Sequence, residues 1–140
     1  MTWTTRIHAS CVAVSGRGVL ITGPSGSGKS RLALALMAYG AELVADDQTE
    51  LTVQGDVLVA HCPAPLTGLI EARGLGLLVT KPLTQAQVVL VIDMGVAETD
   101  RLPPNRKVTM LGTQVDLVLG LGNDHLPAAV HCYLKGSRKA

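Results

Sequence analysis

The chain has 140 residues, 47% of them apolar, which is long enough for one domain with a buried core. Against 12 Lys and Arg stand 11 Asp and Glu, and the aromatics are Trp3, Tyr39 and Tyr133, with no Phe. This balance excludes a broad nucleic-acid footprint, which needs a basic stripe and stacking aromatics, and no apolar run reaches membrane-spanning length. The N-terminus lacks a signal-peptide pattern, so a cytoplasmic protein is expected. In chain order, Arg6 to Val14 reads as a strand and Gly16-Arg17-Gly18 as a tight turn before the next one. Gly18 to Thr22 is an apolar run, Gly23 to Ser30 a glycine-rich loop, and Ser30 to Tyr39 a helical pattern stopped near Gly40. Ala41 to Ala45 is a short strand running into Asp46-Asp47. Glu50 to Val53 and Val57 to Ala60 flank Gly55-Asp56 as a hairpin. Pro63 and Pro65 interrupt regular structure, Leu66 to Ile70 fits one helical turn, and Glu71 to Gly76 reads as a loop. Val88 to Ile92 is a β-branched strand, and Asp93 to Lys107 a polar connection containing Pro103-Pro104. Val108 to Leu121 holds one or two short strands, Leu126 to Leu134 a terminal helix, and Lys135 to Ala140 a frayed basic tail. The sum is a single α/β domain over 1–140, strand-rich with few helices, and with fewer helices than a doubly wound GTPase-like fold needs.

Cys11, Cys62 and Cys132 are odd in number and lack a Cys-x-x-Cys spacing, so no disulfide framework is expected. Each lies near a histidine, but no pair has zinc-ligand spacing, and free cysteines usually pack as small hydrophobes.

The loop Gly23-Pro24-Ser25-Gly26-Ser27-Gly28-Lys29-Ser30 fits the phosphate-binding pattern of Gly, four residues, then Gly-Lys-Ser. Its context agrees, with an apolar strand before it and a helix after it. Glycines let the backbone approach phosphates without a Cβ clash, while amides of the first helical turn point at the anion. Lys29 would reach the outer phosphates and the Ser30 hydroxyl a magnesium ion. A nucleoside triphosphate with a magnesium ion is the expected ligand.

Phosphoryl transfer also needs a metal clamp, a group for the acceptor's proton and charge neutralisation. Asp46 and Asp47, adjacent at a strand end close behind the loop, can divide that work. One orients metal or water and the other accepts a hydroxyl proton. Glu71, beside Arg73 in the second glycine-rich segment, is a candidate second metal ligand with Ser30. His8, alone on the first strand, reads by itself as a packed core residue.

His8, the GPSGSGKS loop, Ala45-Asp46-Asp47 and Glu71-Ala72-Arg73-Gly74-Leu75-Gly76, in this order and spacing, resemble the bacterial HPr kinase/phosphorylases. The last run is similar to the family's own Glu-x-Arg-Gly-Leu-Gly signature, which ordinary P-loop proteins lack. The resemblance implies a P-loop domain related to phosphoenolpyruvate carboxykinase, usually assembled as a hexamer. It implies ATP-dependent phosphorylation of a serine on the phosphocarrier protein HPr. It also implies the reverse phosphorolysis, in which inorganic phosphate attacks phosphoserine and yields pyrophosphate. By position Asp47 resembles the catalytic carboxylate, with Lys29 and His8 the other active-site residues and Asp46 beside them. Ser30 and Glu71 resemble the magnesium ligands, and Ile70 to Val79 the loop used in both directions.

Departures from the family pattern shape the expectation further. The chain resembles the short α-proteobacterial form without the N-terminal domain, and the long helix that helps hold HPr is missing after Tyr133. The family's arginine in a Gly-Arg-Asn run is replaced by Gly122-Asn123-Asp124-His125, leaving Arg101, Arg106, Lys107 or a neighbouring subunit as sources of that charge. Because a transition-state arginine contributes about 10³- to 10⁵-fold in rate, the phosphorylase direction is expected to be weak or absent. Two other readings stay open: a related P-loop kinase with another acceptor, and a catalytically silent nucleotide-binding regulator.

Overall fold

A computed structural model describes residues 4–136 and 138. Trp3 and, apart from Lys135, Gly136 and Arg138, the basic tail lie outside the described residues. In chain order the elements are β1 (Thr4–Ile7), β2 (Ala9–Val14), β3 (Arg17–Thr22), α1 (Lys29–Ala38), β4 (Glu42–Ala45), β5 (Thr49–Gln54) and β6 (Val57–His61). A 3-10 turn (Ala64–Leu66), β7 (Leu69–Ala72), β8 (Gly76–Val79), β9 (Gln85–Asp93), β10 (Arg106–Met110), β11 (Thr113–Leu119) and α2 (Leu126–Lys135) follow.

The main sheet runs β1-β5-β6-β9-β3-β2-β4, and β7 pairs with β8 as a separate hairpin. β9 branches the sheet. Its first half, Gln85–Gln87, pairs with β6, and its second half, Leu90–Asp93, pairs with β11, whose other neighbour is β10. β3, β9 and β11 are mutually parallel, so their carboxyl ends point the same way. Ligands in α/β sheets bind outside such ends.

β1 and β2 are separated by the single residue His8, yet they lie far apart in hydrogen-bonding order. The sheet therefore curls until its β1 edge returns to β2. The concave side closes on Ala9, Cys11, Leu20, Leu51, Leu58, Val88 and Val91. On the convex side α1 and α2 cover Val12, Val19, Ile21, Leu90 and Ile92. With both faces buried, β3 has no polar face to display, which is why Val19-Leu20-Ile21 is continuously apolar. Lacking Phe, both clusters are built of small and branched aliphatics.

α1 ends in a Schellman motif, in which the Gly40 amide donates to Met37 O (2.9 Å) and the Ala41 amide to Leu36 O (3.0 Å). Gly40, at φ 110°, supplies the left-handed residue this requires. α2 buries Leu126, Val130 and Leu134, one stripe at i, i+4 and i+8.

Several boundaries differ from the sequence reading. The strand expected over Arg6 to Val14 breaks at His8, where the chain crosses between the two ends of the curled sheet. The first turn is Ser15-Gly16, at φ 52° and 77°, so Arg17 and Gly18 already belong to β3. No helical turn spans Leu66 to Ile70: the 3-10 turn ends at Leu66, and Leu69 begins a strand. The loop expected over Glu71 to Gly76 is the β7–β8 hairpin, with Glu71 and Ala72 in β7 and Gly76 in β8. Its glycines mark the turn, where Gly74 takes φ 85°, and not an absence of strands. Val108 to Leu121 resolves into β10 and β11 around Leu111-Gly112. Among the described residues no helix is long and apolar enough to cross a membrane.

Candidate active site

The Gly23–Ser30 loop leaves the carboxyl end of β3 and turns into α1 at Gly28, whose φ of 100° few other residues adopt without strain. Lys29 is 6% exposed, and its ammonium donates to the carbonyls of Gly23 (2.9 Å) and Pro24 (3.0 Å). The loop is folded tightly on itself: a Cβ on Gly23 would come within 2.6 Å of Ser27 Oγ. That Ser27 hydroxyl is buried with no hydrogen-bond partner. Lys29 and the loop from Ser25 to Gly28 line one side of a cavity of about 590 Å³.

Other elements close the same cavity. From the β1–β2 break comes His8, from the end of β4 Asp47, from α1 Ser30 and Arg31, and from the hairpin Glu71 and Arg73. His8 Nε2 lies 2.5 Å from Asp47 Oδ1, although the two are 39 residues apart in sequence. Both side chains are open to solvent, at 41% and 65% exposure, so both can meet an acceptor. Asp47 sits at φ 67° and is anchored by its backbone: its amide donates to Ser10 Oγ (3.2 Å) and its carbonyl accepts from the Ala9 amide (3.1 Å).

Asp46 and Asp47 do not share one site. Asp46 turns inward, where its Oδ1 accepts the hydroxyls of Ser10 and Ser30, each at 2.7 Å, and its Oδ2 accepts the Glu71 amide at 3.2 Å. The carboxylate touching Ser30 is thus Asp46, while Glu71 presents its side chain to the cavity from the hairpin. Among the described residues no three His, Cys, Asp or Glu side chains gather as a closed metal cage. This donor set suits magnesium, which takes one or two carboxylates and fills its remaining positions with phosphate oxygens and water. The orphan Ser27 hydroxyl, the Cβ-free cradle at Gly23 and the buried ammonium together fit a phosphate chain.

Every residue assigned from the sequence to the phosphate loop, the acidic pair, the metal ligands or His8 reaches this region. His8, Ser25, Gly26, Ser27, Gly28, Lys29, Ser30, Asp47 and Glu71 line the cavity, while Gly23, Pro24 and Asp46 lie behind its wall as partners of those that do. The sequence reading missed Ser10, which is fully buried and joins Asp46 to the Asp47 backbone. The available signal was one hydroxyl within the otherwise apolar run Ala9 to Val14.

A second cavity, of about 460 Å³, is lined by the Gly122-Asn123-Asp124-His125 turn together with Glu98 and Arg101. Of the three basic residues weighed as replacements for the family's arginine, Arg106 is held by both oxygens of Glu98 (3.1 and 3.0 Å), and Lys107 is paired with Asp116. Arg101 makes no ion pair among the described residues and faces this second cavity.

Comparison with known proteins shows what the chain is similar to. A family model described as HPr Serine kinase C-terminal domain matches residues 1–116. The HPr kinase/phosphorylase of Bordetella pertussis is 56% identical over 77 residues, 54% of this chain and 25% of that protein. That of Geobacillus sp. (strain WCH70) is 39% identical over 123 residues, 82% of this chain and 38% of that protein. The chain thus spans well under half the length of these curated relatives. The solved Hpr(Ser) kinase/phosphatase from Coxiella burnetii is similar at a TM-score of 0.76 and 28% identity, covering 96% of this chain and 94% of that one.

Proposed function

The chain belongs to the HPr serine kinase C-terminal domain family, and on that footing we propose that it transfers the γ-phosphoryl group of ATP to a serine of HPr. The observation that carries the proposal is the His8–Asp47 pair, 2.5 Å apart and open to solvent on the cavity that holds Lys29 and Ser30. A proton acceptor and a phosphate cradle facing one space are the two parts such a transfer requires.

Asp47 takes the proton of the acceptor hydroxyl as its oxygen bonds to the γ-phosphorus and the bond to the β-phosphate oxygen breaks, leaving ADP. His8 holds the Asp47 carboxylate in place. The Lys29 ammonium leaves the Gly23 and Pro24 carbonyls and turns to the outer phosphates, while the amides from Gly26 to Ser30 hold their oxygens. Ser30, backed by Asp46 and faced by Glu71, would hold Mg2+. Bound there, the ion would supply charge neutralisation at the phosphates. In reverse, the cradle would take inorganic phosphate and Asp47 would act as the acid.

Reverse phosphorolysis is expected to be weak, because two of the three basic residues near the C-terminal strands are already spent in ion pairs. A cytoplasmic location and assembly as a hexamer belong to the same reading, and light scattering checks the latter. The deciding assay mixes the protein with labelled ATP, Mg2+ and HPr, and repeats it with Asp47→Asn. Transfer that requires Asp47 supports the reading. Nucleotide binding with no transfer to HPr overturns it in favour of a silent regulator or a kinase with another acceptor.

A further inference from the structure

Asp46 is 7% exposed, and its two oxygens serve three elements at once. Oδ1 takes hydroxyls from β2 (Ser10) and from the first turn of α1 (Ser30), while Oδ2 takes the backbone amide of Glu71 in β7. The β7–β8 hairpin is a sheet of its own, with both outer edges unpaired. Among the described residues, the Glu71 amide to Asp46 is the one hydrogen bond from β7, β8 or their turn to the rest of the chain. Otherwise the hairpin is held by Ile70 and Leu78 packed on the core, while Leu75, Leu77 and Val79 face solvent. The hairpin nevertheless brings Glu71 and Arg73 to the cavity.

We propose that Asp46 is a positioning residue that couples occupancy of the phosphate loop to the seating of this hairpin. The inference rests on the reading of the loop as a magnesium–nucleotide cradle. The Ser30 hydroxyl gives its proton to Asp46 and keeps its lone pairs for the cavity. A cation on that oxygen polarises the O–H bond and strengthens its donation to Oδ1, since hydrogen bonds to ionised acceptors gain most from such polarisation. With Oδ1 pinned, the carboxylate plane is fixed and Oδ2 is held toward the Glu71 amide. Ser10 and Ser30 both donate to Oδ1 at 2.7 Å, and the 3.2 Å bond to Glu71 is the longest of the three. Metal arriving at Ser30 thereby seats the strand that carries Glu71 and, through it, Arg73. Coupling is reciprocal: a seated hairpin raises the affinity of the loop for magnesium–nucleotide by the same factor.

The test follows backbone amide hydrogen exchange in the full chain with ADP alone and with ADP and Mg2+, alongside calorimetric binding. In the wild type, Mg2+ added to the ADP-bound protein is expected to slow exchange at Glu71 and its neighbours in β7 by about fivefold or more. Asp46→Asn keeps the shape but lacks the charge. It is expected to bind Mg-ADP within about tenfold of wild type, the lower range of such couplings, and to lose the slowing. Ser10→Ala removes the competing donor and leaves the route from Ser30 to Glu71, so it is expected to keep the slowing. A wild-type protein that binds Mg-ADP with no change in β7 overturns the coupling while leaving the cradle intact. Slowing that survives Asp46→Asn, or is lost in a folded Ser10→Ala, also overturns it. Failure of the wild type to bind ADP at all overturns both the coupling and the reading beneath it.

Discussion

Asp47 holds a left-handed backbone at φ 67° while its carboxylate meets His8 in the open. For a residue with a Cβ that backbone costs about 1 kcal/mol, and an exposed side-chain contact returns less than about 1 kcal/mol. The conformation therefore serves to aim the carboxylate, and stability gains little from it. Asp47→Gly removes both terms, so its melting temperature should stay within a few degrees of wild type. Phosphotransfer should meanwhile fall about 10²- to 10⁴-fold, the usual contribution of a positioned acid or base. Calorimetry and a transfer assay on the same preparation check this, and a strongly destabilised Asp47→Gly would make the carboxylate structural. Asp46, its neighbour in sequence, has the opposite character: buried, three times bonded, and facing inward. Adjacent positions carry a solvent-facing carboxylate and an internal strut, because the left-handed turn at Asp47 throws the two side chains apart.

Between elements, the junction of α2 with the sheet depends on a few polar clamps. The Arg17 guanidinium on β3 donates to the carbonyls of Leu134 (2.7 Å) and Gly136 (2.8 Å), with Tyr133 O at 3.4 Å, where the helix dipole is negative. Removing it in Arg17→Ala leaves those carbonyls to water and should cost about 2 kcal/mol, read as a lower urea midpoint at unchanged slope. A second clamp ties α2 to β11: the Tyr133 hydroxyl donates to Asp116 Oδ2 at 2.8 Å, and Lys107 pairs with Oδ1 of the same carboxylate. The Lys107 ammonium first, and the Tyr133 hydroxyl after it, hold the Asp116 carboxyl below its ordinary range, against the opposing effect of partial burial. Because the folded value lies below the unfolded one, this contribution is whole above the ordinary aspartate range, near 3.9, and is lost as pH falls through the depressed value. Melting temperature measured from pH 6 to pH 2 should therefore fall less steeply in Asp116→Asn than in wild type. Identical acid limbs would show that the clamp contributes nothing to acid stability.

For the whole molecule, the curled sheet makes an interior that opens only when the fold does. Cys11 lies at its centre, and burial pushes its thiol up to about 12, whereas Cys132 is exposed on α2 and Cys62 is part-buried, with its thiol raised chiefly by burial. A thiol reagent at pH 8 should titrate Cys132 at once, Cys62 more slowly, and Cys11 only at the rate of global unfolding. Early reaction of Cys11 would mean that the β1 edge opens independently of the rest. The chain order of strand, glycine-rich loop and helix was legible in the sequence because each is set by residues within a few positions of one another. The same holds for the Gly55 hairpin, the Gly40 stop and the terminal helix. The residues that line or back the candidate site were legible for the same reason, as short runs of polar and glycine-rich sequence: Gly23 to Ser30, Asp46-Asp47 and Glu71 to Gly76. What each run touches was not, since no local pattern encodes a contact across 36 or 39 residues. That His8 meets Asp47, that Ser10 supports Asp46, and that the Glu71 run is a hairpin hung on Asp46 were decided only when the sheet curled. The curl brings β1 back beside β2 and the end of β4 against the phosphate loop, and its driving force, burial of two separate apolar faces, belongs to the whole chain and to no single segment.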